Sequence, residues 1–158
     1  MRVGIGYDSH AYMEGDHIMI GGVKIPFEYG VKAHSDGDVL LHALCDALLG
    51  ASALQDIGCH FADTNAEYAN MASSEFLKVV MAKIQEAHFF VVNVDSTVIC
   101  RQPKLQPYIA AMQAHIAKLL QCDPSRVSIK AKTNEGMGFI GRKEGLVAQV
   151  VVLLQEES

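Results

Sequence analysis

The chain opens with apolar and polar residues alternating over 2–7 and again over 17–28, which predicts two strands. The second is broken by Gly21-Gly22, a pair that supplies the positive φ angles of a tight hairpin turn. From Asp38 to Leu54 the period changes. Val39, Leu40, Ala43, Leu44, Ala47, Leu48, Ala51 and Leu54 recur at three and four, predicting a helix with one broad buried face and a polar stripe of Asp38, His42 and Asp46. Residues 55–72 show no period and carry Gly58, Asp63, Thr64 and Asn65, so a long functional loop is expected there. A second helix should begin at Ser73, a suitable N-cap, with Phe76, Val79, Val80, Ile84 and Ala87 inward. A strand fits 90–100. A third helix over 108–121 places Ile109, Met112, Ile116 and Leu119 on one face, and 126–132 alternates as a strand. The valine-rich run 146–154 closes the series as a buried strand. This order lacks the regular βαβα alternation of a doubly wound sheet. It predicts an α+β fold: a mixed four-stranded sheet with helices packed on one face, plus an N-terminal hairpin.

Composition narrows the picture. The 158 residues suit one domain spanning 1–158, since either half alone would bury too little surface. Half of them are hydrophobic and the four prolines are scattered, as a packed interior requires. A net charge of −5 excludes a general nucleic-acid binder, because phosphate backbones attract basic surfaces. No stretch approaches the length of a membrane-spanning helix, and MRVGIGYDSH lacks the apolar core of a signal peptide, so a cytoplasmic protein is expected. Cys45, Cys59, Cys100 and Cys122 stand far apart and read as reduced thiols, mostly buried.

Asp8 and His10 sit two apart near the end of the first strand, so both leave it on the same side, as two ligands of one metal must. Such a pair alone is more often incidental surface chemistry. His42 strengthens the metal reading, because Asp38 and Asp46, one turn away on either side, offer carboxylates for its free ring nitrogen. One carboxylate and two imidazoles suit zinc with an open position for substrate, while manganese or iron also fit. His34 and Ser35 lead into that helix, where free N–H groups favour an anion, although Ser35 or Asp36 equally serves as a cap. The run Lys130 to Glu135 gathers cations, a hydroxyl and a hard carboxylate at a strand end, and Arg101 and Lys104 flank a second such loop. Gly136, Gly138 and Gly141 spell G-x-G-x-x-G, but no helix and βαβ unit follow. They are read as a flexible turn around Phe139 and Arg142 rather than as a dinucleotide fingerprint.

Taken in order, G-x-D-x-H at 6–10, HSDGDVLLHALCDALLGA at 34–51, DIG at 56–58, F-x-D-T at 61–64, PKL at 103–105, KTNE at 132–135 and GFIGRKEG at 138–145 run the length of the chain. In these motifs the sequence resembles the 2-C-methyl-D-erythritol 2,4-cyclodiphosphate synthase family. The resemblance implies a homotrimer with active sites between subunits, acting on 4-diphosphocytidyl-2-C-methyl-D-erythritol 2-phosphate to give the cyclic diphosphate and CMP. It assigns zinc, or another divalent transition metal, to Asp8, His10 and His42, and magnesium or manganese on the diphosphate to Glu135. His34 and Thr133 would position the phosphates and stabilise the transition state, with Ser9 and Ser35 beside them in the substrate site. Asp56, Ile57 and Gly58, with Phe61, Ala62, Asp63, Thr64 and Asn65, would hold the methylerythritol part. Cys100, Arg101, Gln102, Pro103, Lys104, Leu105 and Gln106 would line the cytidine-diphosphate side together with Lys132, Thr133, Asn134 and Glu135. Phe139 and Arg142 match positions near the trimer axis, where family members can hold an isoprenoid diphosphate. Ala62, Asn65, Leu105, Lys132, Asn134 and Tyr7 depart from the commonest family pattern, and none is in the zinc set.

The implied chemistry uses the substrate's own 2-phosphate as nucleophile, which agrees with a residue inventory of metal ligands, cations and hydroxyls without a Ser-His or Cys-His pair. Two other readings remain open: a zinc-dependent phosphoesterase acting on a nucleotide, and a non-catalytic trimer that senses isoprenoid diphosphates. The intact Asp8, His10, His42 and Glu135 set speaks against the last. No nucleic-acid or membrane partner is expected.

Overall fold

Thirteen residues, Arg2–Glu14, form strand β1 in the computed structural model, which describes residues 1–157. A hairpin follows, β2 (His17–Ile20) and β3 (Val23–Pro26), turning through Gly21 at φ 59° and Gly22 at φ 75°. Both angles lie in the left-handed region that a two-residue hairpin turn requires. The expected interrupted strand is therefore two paired strands. β4 (Tyr29–Val31) then returns against the far end of β1, pairing Tyr12 with Val31 and Glu14 with Tyr29.

Helix α1 (Val39–Ala51) starts from Asp38, whose carboxylate accepts from the Leu41 N–H at 3.0 Å as an N-cap. The same carboxylate accepts from Gly21 N at 2.9 Å and Gly22 N at 2.7 Å, so one buried side chain caps the helix and ties the hairpin to it. The helix stops at Ala51, short of Leu54, because Ala53 takes a left-handed conformation at φ 57°. The remaining elements are α2 (Ile57–His60), α3 (Ser73–Glu86), β5 (Phe89–Ile99), α4 (Ile109–Leu120), β6 (Val127–Lys132), α5 (Gly138–Gly141) and β7 (Gly145–Glu156).

The main sheet runs β4-β1-β7-β5-β6, antiparallel except for the β5/β6 pair, which α4 connects. It has five strands where four were expected. β4 is only three residues long, below the reach of any periodicity, and it pairs because β1 continues to Glu14 and offers an edge. The mixed α+β class with helices on one face holds.

Two helical expectations change. Helix α1 is buried nearly all round, since Leu41, Cys45 and Leu49 also lie inside, between the sheet on one side and α3 and the hairpin on the other. On α3 the inward positions are Phe76, Leu77, Val80, Met81 and Ile84, whereas Val79 is 41% exposed. Its N-cap is Ala72, and Ser73 is its first residue. The Gly136 to Gly141 segment is also tighter than a flexible turn, because Gly138–Gly141 closes a helical turn before β7. No βαβ unit follows it, as expected.

α1 lies on β1 in backbone contact. A Cβ on Gly4 would fall 2.0 Å from the Ala47 carbonyl oxygen, and one on Gly6 would fall 1.8 Å from that of Ala43. The opposite sheet face is bare, with Val3, Ile5 and Tyr7 of β1 and Val151 of β7 exposed. No described helix is long and apolar enough to cross a membrane. All four cysteines are free, and burial pushes the Cys45 thiol well up and that of Cys100 to about 11, as inert core thiols require.

Gly6→Ala should lower folding stability by about 3 kcal/mol by prising α1 from β1. Urea denaturation of the metal-free protein measures it, and a loss under about 0.5 kcal/mol would show that the contact is not tight.

Candidate active site

Strand alternation puts Asp8 and His10 on the sheet face that α1 covers, and the close approach of that helix brings His42 over them. Asp8 Oδ2 lies 2.9 Å from His10 Nε2 and 3.2 Å from His42 Nδ1, and the two imidazole nitrogens are 3.3 Å apart. One ligand atom from each residue falls within a sphere a divalent cation would fill, all lying within 4.8 Å of one another. Burial by itself raises the Asp8 carboxyl, but the hydrogen bonds from His10 and His42 outweigh it and hold the group down at about 2. Burial likewise pushes the His42 imidazole down, and the bond to Asp8 with its charge prevails, so its pKa is raised. Three donor atoms this close repel one another unless a proton or a cation is shared among them. A carboxylate and two imidazoles, half-buried and open on one side, fit a zinc-type cation with a vacant coordination position.

The second nitrogen of His42 does not meet the expected carboxylates. Asp38 precedes the helix in extended backbone and spends its oxygens on three N–H groups, and Asp46 accepts from Ile57 N at 2.8 Å, fixing the start of α2. His42 Nε2 instead lies 2.8 Å from Ser73 Oγ and 3.1 Å from Ser35 Oγ. A Ser–His pair therefore exists where none was evident. Ser73 is fully buried and donates its hydroxyl hydrogen to Asp36, so it is no nucleophile. No sequence signal pointed to Ser73, because it reaches His42 from another helix.

The metal cluster opens into a cavity of about 360 Å³ whose wall includes His10, His34, Ser35 and His42. Opposite stand Ile57 and Gly58 of α2 with Phe61, Ala62, Asp63 and Asn65 of the following loop. Phe61, Tyr68 and Phe76 form its aromatic floor, with ring centroids 4.6 Å apart for Phe61 and Phe76 and 5.2 Å for Phe61 and Tyr68. Tyr68, Phe76 and the wall residue Lys32 were not anticipated. Asp56 caps α2, accepting from Cys59 N at 3.0 Å, and neither it nor Thr64 forms part of the wall. Ser9 leaves β1 on the opposite face from Asp8 and His10, by the same alternation that joins those two.

The other predicted residues form a second surface. Cys100 N bonds to Lys132 O at 3.0 Å, Arg101 reaches Gly141 O at 2.7 Å, and Tyr12 donates to Gln102 O at 2.9 Å. Loop 100–106, residues 132–135 and the helical turn carrying Phe139 are thus neighbours. Thr133 donates to Glu135 Oε1 at 3.3 Å, Arg142 pairs with Glu144, and Cys100 and Leu105 are buried beneath. Arg101, Gln102, Pro103 and Lys104 line a surface cavity of about 470 Å³ with Phe27 and Glu28. The register pairs His10 with Leu146, Val147 with Ile99, and Ile99 with Lys132, so both surfaces share one end of the sheet. At about 4.8 Å per strand the end of β5 stands about 10 Å and that of β6 about 14 Å from β1 across the sheet.

The YgbB family model matches residues 1–155. A 2-C-methyl-D-erythritol 2,4-cyclodiphosphate synthase of Alcanivorax borkumensis is 54% identical over 157 residues, covering 99% of this chain and 98% of its own. The bifunctional IspDF of Campylobacter jejuni superposes with TM-score 0.95 at 43% identity over 99% of this chain, which spans 42% of that longer one. A 2C-methyl-D-erythritol-2,4-cyclodiphosphate synthase in its CDP-bound form superposes with TM-score 0.90 at 34% identity, over 98% of this chain and 100% of that one. With its fold matched over 99% of the chain and its sequence over residues 1–155, the chain belongs to the YgbB family.

Proposed function

We propose that this enzyme converts 4-diphosphocytidyl-2-C-methyl-D-erythritol 2-phosphate into 2-C-methyl-D-erythritol 2,4-cyclodiphosphate and CMP. The observation that carries this reading is the Asp8, His10 and His42 cluster at the mouth of a cavity. In the reaction an oxygen of the 2-phosphate forms a bond to the β-phosphorus. The bond from that phosphorus to the bridging oxygen breaks, and the electron pair leaves with CMP. Zinc at Asp8, His10 and His42 would supply Lewis acidity at the attacked phosphate, and magnesium or manganese beside Glu135 would neutralise charge on the diphosphate.

The protein's own part is alignment and shielding. His34 and Ser35 in the cavity wall hold the phosphates near the cluster, and Thr133 holds them from the nucleotide side. The loop from Asp56 to Asn65 closes on the methylerythritol, and the Phe61, Tyr68 and Phe76 rings keep water from that side of the cavity. Residues 100–106 take the cytidine-diphosphate side, where Arg101 and Lys104 line a surface cavity.

Two observations support assembly. On one chain the metal cavity and the nucleotide surface are separate, so a neighbouring copy has to complete each site. Ile5, 73% exposed at the middle of β1, heads an apolar strip that an isolated domain would not leave bare. The family resemblance supplies the number, a homotrimer with three bare faces around one axis. Phe139 and Arg142 would stand near that axis, where an apolar strip and a cation suit an isoprenoid diphosphate. Four unpaired cysteines suit a reducing compartment, and the cytoplasm is the proposed one.

Phosphorus NMR of the zinc- and magnesium-loaded protein with its proposed substrate should show the cyclic diphosphate and CMP. His42→Ala should lower the rate at least ~10³-fold through loss of a metal ligand. Hydrolysed phosphate in place of the cyclic product would make the enzyme a phosphoesterase. Asp8→Asn should weaken zinc binding about 100-fold in equilibrium dialysis, and unchanged affinity would remove Asp8 from the ligand set. Ile5→Asp should convert a trimer into monomers in sedimentation velocity, and a trimer that survives would place the interface elsewhere.

A further inference from the structure

His42 can ligate a cation through only one ring nitrogen, and what the other nitrogen meets decides which one is free to do so. Nδ1 faces Asp8 and His10, so a metal there needs the ring hydrogen on Nε2. Nε2 lies 2.8 Å from Ser73 Oγ, and that hydroxyl is in short contact with Asp36 Oδ1. Asp36 is already an acceptor at both oxygens, taking Ser73 N on Oδ2 at 3.0 Å and Asp38 N on Oδ1 at 3.2 Å. A carboxylate in that setting can only receive the Ser73 hydrogen. Ser73 Oγ then turns a lone pair toward His42, and the ring nitrogen must donate to it.

We infer that Ser73, oriented by Asp36, is a positioning residue that fixes His42 in the Nε2–H tautomer and aims its Nδ1 lone pair at the metal position. This rests on the metal reading of the Asp8, His10 and His42 cluster. Ser73 is suited to the task because it is fully buried at the first turn of α3, where solvent cannot reorient its hydroxyl. Asp36 holds it through both its backbone N–H and its side chain. Ser35 Oγ is the weaker partner of Nε2, at 3.1 Å, and no carboxylate orients it. It accepts instead from Gly37 N at 3.3 Å. The relay also joins three segments, since Asp36 precedes α1, His42 lies within it and Ser73 opens α3. The loop and both helices therefore adopt one arrangement when the cation is bound.

The two residues separate by substitution. Ser73→Ala keeps the backbone bond to Asp36 and removes only the oxygen that receives the Nε2 hydrogen. Asp36→Asn presents an amide that can donate to Ser73, which reverses the chain and favours the Nδ1–H tautomer that cannot bind metal. Zinc affinity, read by competition with a chromophoric chelator, should fall ~10–100-fold in each variant. The circular dichroism of the metal-free variants should match the wild type. Wild-type affinity in both folded variants would overturn the relay, whereas a wild type that binds no zinc would overturn the metal reading itself. A second measurement needs no variant. In the zinc-loaded protein labelled with ¹⁵N-histidine, the His42 ring should carry its proton on Nε2, in slow exchange with water. A proton on Nδ1 with zinc on Nε2 would overturn the inference, however the variants fold.

Discussion

The whole arrangement depends on the contact between helix α1 and strand β1 at the distance of two backbones. Gly4 and Gly6 give the strand no side chains on that face, and Ala43 and Ala47 give the helix almost none, so the two elements touch directly. Any larger group would lift the helix and carry His42 with it, whose Nδ1 lies 3.2 Å from Asp8 and 3.3 Å from His10. The same packing that builds the core therefore sets the size of the metal position. It also buries α1 on nearly all sides, which explains why a helix bearing Asp38, His42 and Asp46 is otherwise apolar.

Around that contact, several carboxylates bond to the backbone. Asp38, Asp46 and Asp56 each accept from main-chain N–H groups at a helix end or a turn. Asp36 does so as well, and adds the hydroxyl of Ser73. With those four committed, Asp8 is the carboxylate left facing the imidazoles, which is the charge distribution a single bound cation needs. No buried side-chain nitrogen or oxygen among the described residues lacks a partner, so the polar network under the site is closed and rigid. The substrate loop from 56 to 65 is anchored at its start by Asp46 and Asp56 and is mostly exposed beyond, which leaves it free to follow a ligand.

The position of the second surface follows from the topology. The parallel β5/β6 pair delivers the ends of both strands, and so residues 100–106 and 132–135, to the sheet end where β1 carries His10. One intervening strand for residues 100–106, and two for residues 132–135, separate them from the strand that carries the metal cluster. A bare apolar face on the same sheet and a divided site on the same chain are the two features on which the proposed assembly rests.

The sequence by itself determined the elements with a repeating side-chain pattern: the long helices, the alternating strands, the Gly21-Gly22 turn and the same-side placement of Asp8 and His10. These follow from local backbone geometry, which every residue reports within a few neighbours. The motifs carried the rest of the ligand set and the family resemblance. Only the tertiary structure decided what meets His42 Nε2, because Ser73 arrives from a helix that no local rule ties to α1. It also decided that Asp38 and Asp46 serve the fold, that Val79 faces out and that β4 pairs. In each case the outcome depends on which element packs against which, a long-range choice that the residue does not report by itself.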